Sequence, residues 1–267
     1  MENRRDLNRL RRLIAASRHC VAFTGAGVSA LSGIPAFRGP GGIFERPESP
    51  DAPPPGFLPP LLTERAFCIG EFEQNPEYFY KLAGPLVYTV HEKTPSPVHN
   101  ALAALEQKGI LKAVITQNID GLHQKAGSRR VIEIHGSPRV HYCLRCAGIR
   151  VPYESAASLV AAGRLPLCPQ CGRPLKPAIT FYGEPLPLDA RRAACAEAQS
   201  ADLLLVLGTG LQVNPAAELP RLTLARGGKL VIVNSTPATL DAQAALRFSS
   251  LEDVFEGIGL GERVRER

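Results

Sequence analysis

Short aliphatic runs punctuate the chain. CVAFTG (20–25), KAVITQN (112–118), VIEIHG (131–136), LLLVLGTG (203–210) and KLVIVN (229–234) are apolar with little alternation and rich in β-branched residues. Strands buried on both faces of a parallel sheet have this pattern. Between the runs, apolar positions recur at helical spacing, which predicts helices over 98–108, 189–199 and 214–226. The N-terminal NRRDLNRLRRLIAAS does the same, with Leu7, Leu10, Leu13 and Ile14 on one face, and reads as a first helix running into the first strand rather than as a transit peptide. Strands alternating with helices predict right-handed βαβ units and a doubly wound, parallel, Rossmann-like α/β sheet. Two segments break the rhythm. Residues 40–62 include Pro47, Pro50, Pro53, Pro54, Pro55, Pro59 and Pro60, a composition suited to a surface loop. Residues 141–175 carry cysteines in place of an apolar period.

Those cysteines add the first chemistry. Cys143 and Cys146 form one CxxC pair, and Cys168 and Cys171 form a second after 21 intervening residues (147–167). Four thiolates at such spacing suit one structural Zn²⁺ in a closed tetrahedral site, which would hold a small lobe together and activate nothing; redox or disulfide cysteines are the other reading. Cys20, Cys68 and Cys195 remain outside any pair, and this odd remainder points to a reducing compartment and a cytoplasmic protein. No apolar run reaches the ~18 residues of a membrane span. With 31 Lys and Arg against 25 Asp and Glu, the net charge of +6 favours anionic partners such as a nucleotide, yet no basic run interleaved with aromatics indicates specific nucleic-acid binding.

Polar and glycine residues sit where the predicted strands end. Thr24-Gly25-Ala26-Gly27 follows the first strand, Gln117-Asn118-Ile119-Asp120 the second, and His135-Gly136, Gly208-Thr209-Gly210 and Asn234 the others. Ligands of open α/β sheets bind at the carboxyl ends of strands, and a glycine turn lets backbone approach a pyrophosphate, although Gly25-x-Gly27 alone would serve equally as a tight turn. His135, with an unperturbed pKa near ~6.5, suits a general base.

In these motifs the chain resembles the sirtuin family of NAD-dependent protein lysine deacylases, closest to its undivided bacterial class. GAGVSALSGIPAFRG, TQNIDGLH, IEIHG, the two CxxC pairs, LKPAITFYGEPLP, GTGLQVNPAAELP and VNSTP all occur in family order. The resemblance implies a single catalytic domain over 1–267, with a Rossmann-like large lobe of about 1–40, 95–140 and 176–267. The small lobe would comprise a helical insertion, about 41–94, and a zinc ribbon, about 141–175. It implies NAD contacts at Gly25, Ala26, Gly27, Ala30, Phe37, Arg38, Gln117, Asn118, Ile119, Asp120, Gly208, Thr209, Gly210 and Asn234. Catalysis falls to His135, Asn118 and Asp120: His135 deprotonates a ribose hydroxyl after the acyl oxygen has attacked the anomeric carbon, Asn118 holds the ribose, and Asp120 reads the carboxamide. An Asx turn before Gly121 would use the same Asp120 side chain. An acyl-lysine protein or peptide would add as a strand along Gly183, Glu184, Leu211 and Val213, its acyl group beside Ile179 and Phe181.

The chain also departs from the family. Ala36 stands where an acidic residue is usual and Ala178 where Asp or Asn is usual; Gly210 and Asn214 replace Ser and an aromatic. Sirtuins that remove acidic acyl groups carry a tyrosine followed three residues later by an arginine, and here Tyr80 is followed by Ala83. A deacetylase is therefore expected. Protein mono-ADP-ribosylation, or NAD sensing with weak catalysis, are the other functions the same residues would allow.

Overall fold

The structure, a computed structural model, describes residues 4–36, 38, 42–44 and 64–258. Among them run strands β1 (Cys20–Thr24), β2 (Leu111–Thr116), β3 (Val131–Glu133), β4 (Gly136–Cys143), β5 (Arg150–Pro152), β6 (Leu175–Ile179), β7 (Leu203–Leu207), β8 (Lys229–Val233) and β9 (Leu246–Phe248). The chain divides into two compact units: Met1–Ile34, Lys93–Ile134 and Leu188–Arg267 form the first, Pro35–Glu92 and His135–Pro187 the second.

In the first unit six strands pair in parallel, ordered β3-β2-β1-β7-β8-β9. Counted in chain order within this sheet, that is the doubly wound arrangement 3-2-1-4-5-6, which reverses between β1 and β7. All five residues of β1 and of β7 are buried. Helices cover the sheet: Arg4–Ala16 turns Leu7, Leu10 and Ile14 inward beside Val254, Phe255 and Leu205. Each such side chain, fully buried, contributes roughly 1.5–3 kcal/mol of transfer free energy. The helix Pro97–Gln107 starts on a capping box in which His99 takes the place usual for Glu or Gln; Ser96 N–H donates to its Nδ1 at 3.1 Å. Asp202, just before β7, accepts from the N–H groups of Arg18 (2.8 Å) and His19 (3.2 Å), fastening the entry to β1.

In the second unit β5-β4-β6 form a small antiparallel sheet with the helix Tyr153–Ala161, and the helices Ile69–Gln74, Pro76–Leu82 and Gly84–Val87 surround an aromatic cluster. Phe67, Phe72 and Phe79 place their rings 6.1, 5.5 and 5.0 Å from that of Phe181, the first two edge-on and the third tilted, which adds ring–ring attraction to simple burial.

Several expectations change. VIEIHG is not one strand: β3 ends at Glu133 and β4 begins at Gly136, so His135 does not end a strand of the large sheet but lies in the link. Gly136, at φ +73°, turns the chain there. Residues 135–140 and 176–187 pack within the second unit, because β4 and β6 pair with each other. Segment 214–226 opens with a 3-10 turn, Ala216–Glu218, before the helix Leu219–Ala225. The helix Tyr153–Ala161 and strand β9 were not foreseen. The proline-rich stretch lies, apart from residues 42–44, outside the described residues. Among the described residues, no helix is long and apolar enough to cross a membrane.

Candidate functional site

The first unit gathers most of the sequence-predicted dinucleotide residues where its strand order reverses. Gly25 N–H donates to Leu207 O and Gly27 N–H to Gly208 O, both at 2.9 Å, so the turns after β1 and β7 are bonded backbone to backbone. Their glycines are required by this closeness. A Cβ on Gly27 would stand 2.7 Å from Gly208 Cα, and one on Gly208, itself at φ +64°, 2.6 Å from Val28 N. Ala26 opens the short helix Ala26–Ala30, and Ala30 is exposed at its end.

Side chains from the end of β2 lock onto these turns. Asn118, buried, donates from Nδ2 to Gly25 O (3.0 Å) and to Ser29 Oγ (2.9 Å). A carbonyl can only accept, so the amide orientation is fixed and Oδ1 is left as the acceptor. Ser29 Oγ in turn donates to Asp120 Oδ2 at 2.6 Å, and Leu122 N–H to Asp120 Oδ1 at 2.9 Å, the Asx turn considered above. Burial pushes the Asp120 carboxyl up, against the pull of those two donors. Gln117 Nε2 reaches across to Thr209 Oγ1 at 3.0 Å, and Thr209 Oγ1 also accepts from Leu211 N–H. Ile119 and Gly210 are half-buried beside these residues in sequence; Asn234, after β8, is buried and donates to Thr236 O. Ser29 was not singled out from sequence, although it lies inside the glycine motif, because a serine in a turn carries no signal of its partner. Leu211 holds φ +54°, a conformation costly for a branched side chain, and Val213 is half-buried.

The second unit carries the remaining residues. His135 O accepts from Thr180 N–H at 2.7 Å, and Gly136 pairs with Ile179. A Cβ at Gly136 would meet Ala178 O at 2.2 Å, so only glycine lets β4 close on β6 there and hold His135 in place. Ile179 and Phe181 are buried. Tyr182 exchanges backbone hydrogen bonds with Phe67 and Ile69, and exposed Gly183 follows at φ +93°. Glu184 turns its carboxylate inward, accepting from Phe181 N–H (2.7 Å) and Lys176 Nζ (2.8 Å). Arg38 donates to Glu64 and, at 3.1 Å, to Tyr182 Oη. Phe37 lies outside the described residues. Tyr80 does not offer a free hydroxyl: it is buried and donates to Leu175 O.

The four cysteine Sγ atoms of Cys143, Cys146, Cys168 and Cys171 lie within 4.8 Å of one another, with Cys143 and Cys171 at 3.6 Å. A tetrahedral zinc–thiolate site needs Sγ atoms about 3.8 Å apart, so the donor set fits that ion in type and spacing. Cys146 N–H donates to Cys143 Sγ at 3.3 Å, and Leu175, Ile149 and Val151 pack around the cluster.

Comparison with known proteins accords with this geometry. The Sir2 family model matches residues 25–215. An NAD-dependent protein deacetylase of Thermotoga maritima is 42% identical over 237 residues, 89% of this chain and 90% of its own length. Among solved structures, a Sir2 protein with a deacetylated p53 peptide and 3′-O-acetyl-ADP-ribose superposes with a TM-score of 0.84 at 40% identity, covering 95% of this chain and 96% of that one. Another, bound to a propionylated peptide, gives 0.80 at 37% identity, covering 95% and 99%.

Proposed function

The chain belongs to the Sir2 family, and from that premise we propose how its residues divide the work of an NAD-dependent protein lysine deacylase. The protein is an enzyme that takes acyl groups from lysine side chains of protein or peptide substrates and passes them to ADP-ribose with release of nicotinamide. NAD, when bound, supplies the electrophilic anomeric carbon and the nicotinamide leaving group. Asn118 Oδ1 accepts from a ribose hydroxyl, and the oriented amide of Asn118 is the observation that most supports this reading. Asp120 with the Ile119 backbone reads the carboxamide, and Gln117 contacts the ribose. Gly25, Ala26, Gly27, Ala30, Phe37, Arg38, Gly208, Thr209 and Gly210 border the phosphates and nicotinamide side; Asn234 takes the adenosine ribose. A ring nitrogen of His135 removes the proton of the ribose hydroxyl that attacks the acyl carbon. Gly183, Glu184, Leu211 and Val213 offer backbone to an added peptide strand, and Ile179 and Phe181 an apolar surface to the acyl group. Cys143, Cys146, Cys168 and Cys171 hold one structural Zn²⁺. We place the enzyme in the cytoplasm on its unpaired cysteines.

Neutral acyl groups are the preferred substrates. A succinyl carboxylate would need a cation, and the residue three after Tyr80 is Ala83, while the Tyr80 hydroxyl is already committed to Leu175 O. Mass spectrometry of acyl-lysine peptides incubated with the protein and NAD tests both levels. Acetyl or longer neutral chains should show higher kcat/KM than succinyl, with 2′-O-acyl-ADP-ribose as product. A succinyl preference overturns the acyl assignment, and ADP-ribose attached to protein without deacylation overturns the reaction.

A further inference from the structure

A lysine with no role assigned so far braces the 179–184 segment from within. Lys176, in β6, is wholly buried. Its ammonium group has three donors, and they meet Glu184 Oε2 at 2.8 Å, Ile179 O at 2.7 Å and Pro177 O at 3.3 Å. Nζ also stands 4.0 Å from the Phe181 ring centroid and 5.4 Å from that of Tyr142, within the range of cation–π attraction. The Glu184 carboxylate closes the circuit by accepting from Phe181 N–H at 2.7 Å, with Tyr142 Oη at 3.4 Å. One ion pair thus fixes Ile179 by its carbonyl, Phe181 by its amide and ring, and Glu184 by its carboxylate.

A buried pair of this kind is poorly explained as a source of stability, because desolvation of both ions offsets their attraction and apolar replacements of equal volume often stabilise. What it supplies is a unique geometry, since each charge has one arrangement in which it is fully satisfied. We propose that Lys176 is a positioning residue for substrate: paired with Glu184, it sets the shape of the 179–184 segment on which the acyl-lysine peptide binds. The proposal rests on the deacylase reading above and deepens it. It also assigns the Glu184 side chain inward, leaving that residue's backbone to meet the peptide.

The test is steady-state kinetics of Lys176→Met, Lys176→Arg and the double variant Lys176→Met/Glu184→Gln with an acetyl-lysine peptide, alongside thermal unfolding and peptide affinity by fluorescence anisotropy. Lys176→Met should raise peptide KM about tenfold, by more than it lowers kcat, with the KM for NAD within about twofold of wild type. Lys176→Arg should recover most of the loss, because a guanidinium can keep the carboxylate partner. The double variant carries no unpaired charge, so it should regain the folding stability that Lys176→Met loses and still bind peptide weakly. A double variant with wild-type peptide KM and affinity overturns the proposal and leaves the pair a packing feature, whether or not the single variant folds. Failure of the deacylase reading looks different: wild-type protein would not turn over the peptide at all.

Discussion

Gly25, Gly27 and Gly208 in the first unit and Lys176, Glu184 and four cysteines in the second solve a similar problem with different chemistry. Each group must hold irregular backbone in one conformation. In the first unit this is done by removing side chains: turns after two fully buried strands press together until no Cβ fits, and Asn118, Ser29 and Gln117 tie them. The support beneath is a broad apolar core. In the second unit the sheet has three strands, and with it go a cluster of four cysteines, an ion pair and a ring cluster. A small sheet buries too little to order its own loops, so point interactions replace area. The contrast teaches where each unit is fragile: the first to added volume, the second to a lost partner.

The largest effect should come from removing one of the four cysteines proposed to hold zinc. Cys168→Ala, or prolonged chelation, should strip about one zinc per chain and reduce the soluble, active fraction more than tenfold. Metal analysis with size-exclusion chromatography checks this, and fully soluble, active, metal-free protein would erase half of the contrast. Next, His135→Ala should lower acyl-peptide turnover by at least ~10²-fold while NAD affinity, measured by calorimetry, changes less than about threefold. Comparable losses in both would mean that His135 serves binding. Gly208→Ala should do the reverse, weakening NAD binding at least about tenfold and lowering stability by about 2–4 kcal/mol in urea, since φ +64° and a 2.6 Å contact both oppose a methyl group.

The smallest effect concerns acid. His99 and His123 are buried with rings 4.5 Å apart, and desolvation lowers His99 to about 4 and His123 to about 3. Well above pH ~6.5 neither folded nor unfolded histidine carries a proton, and nothing is gained or lost. Between ~6.5 and about 4 the unfolded chain takes up protons that the folded His99 refuses, so stability falls as pH falls. His99→Gln keeps a capping-box residue and removes this titration, so its urea midpoint should drop less than wild type between pH 8 and pH 5, by the equivalent of about 2 kcal/mol. An identical drop in both proteins would place the acid sensitivity elsewhere.

Much of the first unit was legible because β1, β2, β7 and β8 are each five or six residues of nearly unbroken apolar sequence. Strand β9 was not: Leu246-Arg247-Phe248 is three residues long, and Arg247 at its centre is held by Phe248 O and Thr236 O, contacts that no periodicity records. The break within VIEIHG escaped for a related reason, since one residue at positive φ redirects the chain without changing its apolar pattern. Candidate site residues with chemical labels stood out, the cysteines by their spacing and His135 by its type and its place beside a strand, although it lies in the link after β3 rather than at a strand end. Lys176 did not, because pattern reading takes a lysine between apolar residues as solvent-facing, whereas its charge is satisfied inside by a carboxylate eight positions on.

Gly136 and Ala178 meet where β4 closes on β6, with unequal freedom. The contact that excludes any side chain from Gly136 is made by the Ala178 carbonyl, a group every amino acid carries. Substitution at 178 therefore leaves the obstacle unchanged, while substitution at 136 collides with it whatever stands opposite. Random mutagenesis scored for activity should return almost nothing but glycine at the first position and a mixed collection at the second, of which the alanine at 178 is one member.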